Sequence, residues 1–147
     1  MKTVHKSVLL GYSPEEMYAL VTQVDHYPQF LPWCQSAREL NVEGNSTLVE
    51  IGIAFSGIHH TFTTRNTHLE GRQLSLKLVD GPFSRLDGEW QFIPLGDGSQ
   101  RACKVEFSMT YGFDHASLET LVGSTFDHIA HSMVEAFVKR ATQVYGE

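Results

Sequence analysis

The sequence predicts an α+β protein in which one curved antiparallel sheet of about six to seven strands wraps around a long C-terminal helix. Three observations indicate this architecture: an apolar period of two through the middle of the chain, a change to a period of three to four near its end, and a capped short helix after the first strand. The chain has 147 residues, which suits one domain, and no repeat, linker or low-complexity tract divides it. We therefore expect a single domain over residues 1–147.

The first two elements are a strand and a short helix. Lys2–Leu10 alternates like a strand. Ser13 follows as a predicted N-cap, Pro14 suits the first helical position, and Glu16 can close a capping box with Ser13. A residue that precedes proline is biased away from the helical conformation, so this helix is expected to end before Pro28.

The segment Asp25–Cys34, DHYPQFLPWC, places several large apolar side chains around two prolines. Proline interrupts helices and removes strand hydrogen-bond donors, so regular structure is not expected here. Such a segment is either a fixed plug in the core or a cover over something that must open. The sequence leaves both interpretations open.

The middle of the chain contains apolar stretches with a period of two, which predict half-buried antiparallel strands. Turn-forming residues separate these stretches, for example in Glu43-Gly44-Asn45 and Asp80-Gly81-Pro82. The residues expected on inward faces are Val49, Ile51, Ile53 and Phe55; Leu74, Leu76 and Leu78; Leu86, Trp90 and Phe92; and Val105, Phe107, Met109, Tyr111 and Phe113.

The end of the chain predicts one long helix from about Ala116 to Tyr145, roughly 45 Å at 1.5 Å per residue. Its apolar stripe needs a long partner surface, and the sheet supplies the one candidate. Incomplete closure of the sheet around the helix would leave a pocket, with Asp25–Cys34 across one end. The stripe comprises Leu118, Val122, Phe126, Ile129, Met133, Phe137, Ala141 and Val144.

The composition indicates an ordinary globular protein, with 41% hydrophobic and 11% aromatic residues. The formal net charge is −6, which argues against broad nucleic-acid binding, and no DNA partner is expected. The two cysteines, Cys34 and Cys103, lack metal-type spacing and suit free thiols in a reducing compartment. The N-terminal apolar run is too short for a signal peptide, and no run reaches the ~20 residues of a membrane span. We expect a soluble, cytoplasmic protein.

The sequence contains no recognisable catalytic constellation, so we do not expect an enzyme. The predicted inward faces carry no pair of carboxylates suited to acid and base roles. No G-x-S-x-G elbow, phosphate loop or dinucleotide fingerprint is present. Glu50 alternates away from its apolar neighbours, and Asp80 suits a turn. A cyclase or hydrolase is the weakest of the hypotheses considered.

Eight histidines require that metal binding be weighed. His128 and His131 are three residues apart on the predicted long helix, and Glu135 lies one turn further, but no third strong ligand is evident. We therefore expect no metal and no cofactor, with these side chains on the flank of the helix. His60 shares a predicted strand face with the aromatic residue two positions later. Cys34 lacks a nearby basic group that would activate its thiol and is expected to be a buried structural thiol.

The aromatic residues are the most informative group. Each one alone is most simply a core residue, but together they suit a large apolar cavity for a small molecule. Thr64 and Asn66 follow Phe62 on the same predicted face, and polar side chains facing a dry core would be costly. This strand is therefore the place to look for a hydrogen bond to a ligand.

Four motifs carry a resemblance to a known family: YPQFLPWC (Tyr27–Cys34), FTTRN (Phe62–Asn66), VDGPF (Val79–Phe83) and MVEAFVKRA (Met133–Ala141). Together they resemble the coenzyme-Q-binding START-like family within the polyketide cyclase and lipid transport superfamily, and in particular its bacterial RatA (ribosome association toxin) branch. The resemblance covers essentially the whole chain. It implies a helix-grip fold with a hydrophobic tunnel between the sheet and the C-terminal helix.

The same resemblance implies two functions. One is binding of ubiquinone or a related lipid in support of respiration, with possible transient contact at the inner membrane. The other, for the RatA branch, is a toxin of the toxin–antitoxin type that binds the large ribosomal subunit and blocks subunit association. In this architecture Asp25–Cys34 would lie at the mouth of the tunnel, as a gate or as a plug.

We place a non-enzymatic carrier of a hydrophobic ligand first, ribosome association second and a cyclase-like enzyme third. Ribosome contact would need a local surface, with candidates Arg65, Arg72, Lys77 and Lys139, or contact with ribosomal proteins. The residues predicted to form the ligand cavity and its gate are Tyr27, Phe30, Leu31, Trp33, Phe55, Phe62, Thr64, Trp90, Phe92, Phe107, Met133 and Phe137.

Overall fold

The computed structural model describes residues 1–55 and 57–146, and for Phe55 and Ile58 it describes the backbone alone. The strands are β1 (Lys2–Leu10), β2 (Cys34–Glu43), β3 (Ser46–Phe55), β4 (Ile58–Leu69), β5 (Gln73–Asp80), β6 (Phe83–Pro94) and β7 (Cys103–Phe113). The helices are α1 (Pro14–Thr22), a 3₁₀ helix (Val24–Gln29) and α2 (Ala116–Tyr145).

All seven strands form one antiparallel sheet in the order β1-β7-β6-β5-β4-β3-β2. Tight turns join β2 to β3, β4 to β5 and β5 to β6, and β3 pairs with β4. On the other side, β1 pairs with β7 along its full length. Alternation places Val105, Phe107 and Tyr111 on the inner face, where each is about 1% exposed. The α+β fold predicted from the sequence is therefore confirmed, with a seven-stranded sheet.

The helix α1 begins as the sequence predicts. The Ser13 hydroxyl accepts a hydrogen bond from the Glu16 backbone N–H, and the Glu16 carboxylate accepts one from the Ser13 backbone N–H. This capping box satisfies two N–H groups that the first helical turn leaves free. The helix then buries Met17 and Val21 against the sheet.

The long helix α2 has the bounds that the period predicted, and it packs against β1, β7 and α1. The stripe differs from the prediction at its end, because Val144 is 49% exposed. Tyr145 makes the contact instead: its hydroxyl donates to the Glu16 carbonyl at 2.9 Å, and its ring lies beside that of Tyr12. No described helix is long and apolar enough to cross a membrane.

The segment Asp25–Cys34 is more regular than its prolines suggested. Val24–Gln29 forms the 3₁₀ helix with Pro28 inside it, and β2 already begins at Cys34. A 3₁₀ turn of this length tolerates proline because few of its N–H groups need an internal acceptor. Leu31 is 1% exposed and anchors the segment in the core.

Candidate functional site

A cavity of about 80 Å³ lies between the inner face of the sheet and α2. Its floor comes from β3 to β7, and its roof comes from α2 and the 3₁₀ helix with the loop after it. The lining residues are Val24, Tyr27, Trp33, Val49, Ile51, Phe62, Thr64, Asn66, Leu74, Leu76, Leu86, Gly88, Trp90, Phe107, Met109, Met133 and Phe137.

The cavity exists because α2 covers the sheet unevenly. The helix packs closely on β1 and β7, at one side of the sheet, and stands away from the strands on the other side. Gly88 adds to the space, since it occupies an inward position of β6 between Leu86 and Trp90 but has no side chain. A β-carbon at this position would lie 3.6 Å from Leu76 Cδ1 and 3.7 Å from Met109 Cβ.

The polar groups of the cavity wall are few and uncharged. Thr64 and Asn66 are each 4% exposed, and the Thr64 hydroxyl donates to Asn66 Oδ1 at 2.7 Å. The Tyr27 hydroxyl donates to the Val21 carbonyl. Burial raises the pKa of Tyr27, so its hydroxyl stays protonated. The wall therefore suits a mostly apolar molecule with one hydrogen-bonding group.

A second, smaller cavity of about 30 Å³ lies beside the first, toward the start of α2. Phe62 lines both cavities and forms the wall between them. The turn before β6 fixes this wall: Gly81 has φ +150°, and a β-carbon there would lie 2.6 Å from Phe62 Cβ. The smaller cavity is lined by Ile53, His60, Phe62, Pro82, Phe83, Phe113, Leu118, Val122, Thr125, Phe126 and Ile129.

An open groove on the outside of the molecule runs between the loop after the 3₁₀ helix and α2. Trp33 borders both this groove and the larger cavity, and Ile129 borders both the groove and the smaller cavity. Polar side chains stand on the helix side of the groove, among them His128, Glu135 and Lys139. The groove thus borders both cavities.

The structure brings most of the predicted site residues together. Those that line the larger cavity are Tyr27, Trp33, Phe62, Thr64, Trp90, Phe107, Met133 and Phe137. Leu31 lies in the wall of the outer groove. The Phe55 side chain lies outside the described part of the structure. That any of these residues binds a ligand stays a prediction.

Two predicted residues have other surroundings. Phe92 is completely buried, with its ring edge-on to Tyr18 and stacked with Trp90, so it belongs to the core beneath α1. Phe30 packs edge-on against the Phe137 ring, and the Arg140 guanidinium lies 5.0 Å from the Phe30 ring centre. Phe30 thus closes the 3₁₀ segment onto α2 from outside.

The candidate metal ligands do not form a cluster. His128, His131 and Glu135 are all exposed on α2, and no group of three or more His, Cys, Asp or Glu side chains within residues 1–55 and 57–146 is arranged to hold a metal ion. Cys34 and Cys103 are buried free thiols, and burial raises the pKa of each to about 11. These thiols stay protonated and unreactive at neutral pH.

The sequence analysis missed the smaller cavity and part of the larger one. The signal for the smaller cavity was present in the stripe of α2, because Leu118, Val122 and Phe126 belong to that stripe and line the cavity. The signal for Gly88 was a glycine at an inward position of an alternating strand. These elements are far apart in the chain, so the sequence alone does not show that they lie close together in the fold.

Comparison with known proteins assigns the chain to a family. Residues 10–138 match the family model described as polyketide cyclase / dehydrase and lipid transport. The chain is 40% identical over 145 residues to the ribosome association toxin RatA of Escherichia coli (strain K12), covering 99% of this chain and 90% of the relative. It is 29% identical over 142 residues to the coenzyme Q-binding protein COQ10 homolog B, mitochondrial, of Xenopus laevis, covering 96% of this chain and 58% of that relative.

Solved structures give the same result for the fold. The solution structure of an 18 kDa protein from Caulobacter crescentus is 32% identical, with a TM-score of 0.74 and full coverage of both chains. A START superfamily protein from Mycobacterium smegmatis has a TM-score of 0.76 at 20% identity, covering 97% of this chain and 98% of the other. Together with the sheet, the long helix and the cavity between them, these matches show that the chain belongs to the polyketide cyclase / dehydrase and lipid transport family, with a START-like helix-grip fold.

Proposed function

We propose that this protein associates with the ribosome, with the large subunit as its partner, and hinders the joining of the subunits. The observation that carries the proposal is the 40% identity, over almost the whole chain, to a relative named a ribosome association toxin. The coenzyme Q-binding relative is more distant, at 29% identity. The comparisons therefore favour ribosome association over ligand carriage, which the sequence analysis had placed first.

An acidic protein needs a local basic surface to contact ribosomal RNA, since its net charge is −6. Of the candidate cations, Arg72 is paired with Glu15, with Nη1 and Oε2 2.8 Å apart. Arg65 and Lys77 lie directly opposite each other on β4 and β5, and within the described residues neither forms an ion pair. Like charges in this position destabilise a sheet, and a phosphate partner would relieve their repulsion. We place the ribosome contact at this pair.

The test is a sucrose-gradient profile of ribosomes after addition of the protein. The wild type is expected to shift ribosomes toward free subunits and to migrate with the large subunit. The double variant Arg65→Glu and Lys77→Glu should lose most of this effect, because each charge reversal removes a phosphate contact and adds repulsion. Lys6→Glu with Lys104→Glu, which changes the net charge equally on β1 and β7, serves as the matched control.

Two results would count against this proposal. An unchanged profile with the wild type would remove ribosome association altogether. Equal loss of effect in both double variants would mean that overall charge matters and that the surface at Arg65 and Lys77 is not the contact.

A second candidate function is non-enzymatic binding of a hydrophobic molecule, with ubiquinone or a related lipid as the specific proposal. It is favoured by the apolar and aromatic wall of the cavity and by the likeness to a coenzyme Q-binding relative. Removing the apolar part of such a molecule from water contributes about 25 cal/mol per Å² of buried area, before association costs. The residues 1–147 would then act as one ligand-binding domain.

In this proposal Trp33 and the loop around it act as a gate. Trp33 separates the outer groove from the larger cavity, and Lys139 and Arg140 stand on α2 near the same loop. These basic and aromatic side chains would suit brief contact with an anionic membrane surface while a ligand enters. The protein would otherwise act in the cytoplasm, where ribosomes are.

Extraction of the protein from its native host with organic solvent, followed by mass spectrometry, tests ligand binding. A quinone or lipid should be recovered in a fixed ratio to protein. Absence of any such molecule, together with no binding of added ubiquinone, would remove this function.

Catalysis has little support in the wall of the larger cavity. Among its described lining residues there is no aspartate, glutamate, histidine, lysine or arginine. A cyclase or dehydrase needs an acid or a base at the reacting atoms. We therefore propose binding without chemistry, although the family description also includes cyclases.

A further inference from the structure

The inward face of β4 changes from apolar to polar along its length. Phe62, Thr64, Asn66 and His68 occupy successive inward positions, and the partner positions on β3 run from Ile51 at the apolar end to Thr47 at the polar end. The polar end is remote from the outer groove, which borders Trp33 near the far end of β3. The cavity thus has an apolar end near Trp33 and a polar end near Thr47 and His68, and the residues beyond the polar end line a second outer groove.

The polar groups at the His68 end of this face form hydrogen bonds with each other. His68 contacts the Tyr18 hydroxyl through Nδ1 at 2.8 Å and the Thr47 hydroxyl through Nε2 at 3.0 Å. The Tyr18 hydroxyl also donates to Glu70 at 3.3 Å. Each of these groups has a protein partner, and the network lies between the larger cavity and an outer groove that its members line.

Asn66 differs from these residues. Its Oδ1 accepts from the Thr64 hydroxyl, but within the described residues its Nδ2 donates to no protein acceptor. No described side-chain nitrogen or oxygen is both sealed off by protein atoms and without a partner. The Nδ2 group must therefore face open space, and because Asn66 is 4% exposed and lines the larger cavity, that space is the cavity.

A buried amide N–H without an acceptor is costly, so a bound molecule that supplies one gains affinity here. No charged side chain is among the described residues that line the cavity, so a carboxylate or phosphate at this end would remain unpaired and desolvated. We infer that Asn66 Nδ2 selects a ligand with a neutral oxygen acceptor, such as a ketone or quinone carbonyl, that binds with this oxygen at the polar end of the cavity and its apolar body toward Trp33. This inference rests on the proposed ligand-binding function.

The experiment compares 1-tetralone with tetralin, which has the same bicyclic body without the carbonyl. Both are titrated by ¹H–¹⁵N NMR into the wild type and into Asn66→Leu, which keeps the size of the side chain and removes the donor. The wild type should bind the ketone roughly tenfold more tightly than the hydrocarbon. Asn66→Leu should lose this preference and bind tetralin as tightly as the wild type does.

The side-chain amide signals of Asn66 in the wild type give a readout that does not depend on a variant. They should shift with 1-tetralone and stay close to their free positions with tetralin. Thr64→Val, which removes the neighbouring hydroxyl but leaves the Asn66 amide, should keep most of the ketone preference.

Equal binding of both probes by the wild type, or an Asn66 amide that does not respond to the ketone, would overturn the inference while leaving apolar binding in place. Failure of both probes to bind would remove the ligand-binding function and the inference together. Loss of affinity for both probes in a folded Asn66→Leu protein would show that Asn66 shapes the wall without selecting the oxygen.

Discussion

The two halves of the sheet are covered in different ways. On β1 and on the neighbouring parts of β7 and β6 the helices pack directly, and residues such as Phe92 and Val105 have at most 1% of their surface exposed. On β3, β4 and β5 the helix α2 stands away, and Phe62 and Leu76 face a cavity. One sheet with one periodic pattern thus has a filled half, which packs closely against the helices, and a hollow half, which faces the cavity.

The largest expected effect is a difference in the free energy of unfolding between a substitution in the filled half and one in the hollow half. Phe92→Ala in the filled half should reduce the free energy of unfolding by about 3–5 kcal/mol, because it leaves a void among packed side chains. Phe62→Ala in the hollow half should cost clearly less, since this ring already borders empty space and loses fewer contacts. Urea unfolding of both variants measures the difference. Equal losses would mean that the two halves are packed alike.

The next comparison lies within the loop that covers the hollow half. Leu31→Ala should cost about 2–4 kcal/mol, because Leu31 is a buried anchor. Trp33→Ala should cost less than ~1.5 kcal/mol yet weaken binding of a hydrophobic probe severalfold, because Trp33 borders both the cavity and the groove. Binding and unfolding measured on the same samples decide between gate and plug. A Trp33 variant that loses stability and binding in proportion favours the plug.

A smaller effect is expected from filling the larger cavity where it reaches β6. Gly88→Ala places a methyl group between Leu76 and Met109 and brings it 3.1 Å from the Ser108 carbonyl oxygen. We expect a change in stability of less than ~1 kcal/mol, because the gain in chain stiffness offsets the close contact. Binding of 1-tetralone should weaken several-fold by NMR titration. Unchanged affinity would show that the guest lies elsewhere.

The smallest effect is the pH dependence of stability that comes from an ion pair of α1, beside the filled half. The Arg101 guanidinium, 2.7 Å from Glu16 Oε2, and the Ser13 N–H lower the pKa of Glu16 to about 2. Because this folded-state pKa is below the unfolded value of about 4.3, the stabilisation is present above pH ~5 and is lost as the pH falls toward about 2.

Arg101→Gln should therefore lower stability slightly at pH 7 and make the loss between about pH 5 and pH 2 shallower than in the wild type. Solvent screens this pair, so the difference is expected to stay small. Thermal unfolding across this range measures it. Lys6→Gln, which removes the same charge from β1, is the control and should leave the slope unchanged.

Much of the fold follows from local patterns in the sequence. The alternation from Val105 to Phe113 and the stripe of α2 depend on neighbours in the chain, so their periods reveal the buried faces. The capping box at Ser13 is equally local, and the structure has it as predicted. The prediction for the end of the stripe was wrong at Val144, which is exposed, because Tyr145 makes the contact with α1 instead.

The candidate site was harder to predict, because it depends on distances between elements far apart in the chain. Alternation placed Phe92 and Trp90 on one face but could not show that α1 covers Phe92 while the cavity reaches Trp90. Nor could it show that Pro28 fits a 3₁₀ helix, since that depends on how the segment packs. Thr64 and Asn66 can be recognised in the sequence because polar residues on an inward face interrupt the alternation of apolar and polar residues.

The close contact between Gly81 and Phe62 bears on the length of a ligand that the two cavities could hold. The Phe62 ring lies between the larger and the smaller cavity, and its close contact with the Gly81 backbone fixes its position. In the proposed ligand-binding function, a molecule that fits one cavity would leave the Phe62 ring in place, whereas a longer chain would have to displace the ring to reach the other cavity. The turn before β6 would then limit the length of the ligand, independently of the hydrogen bond proposed at Asn66.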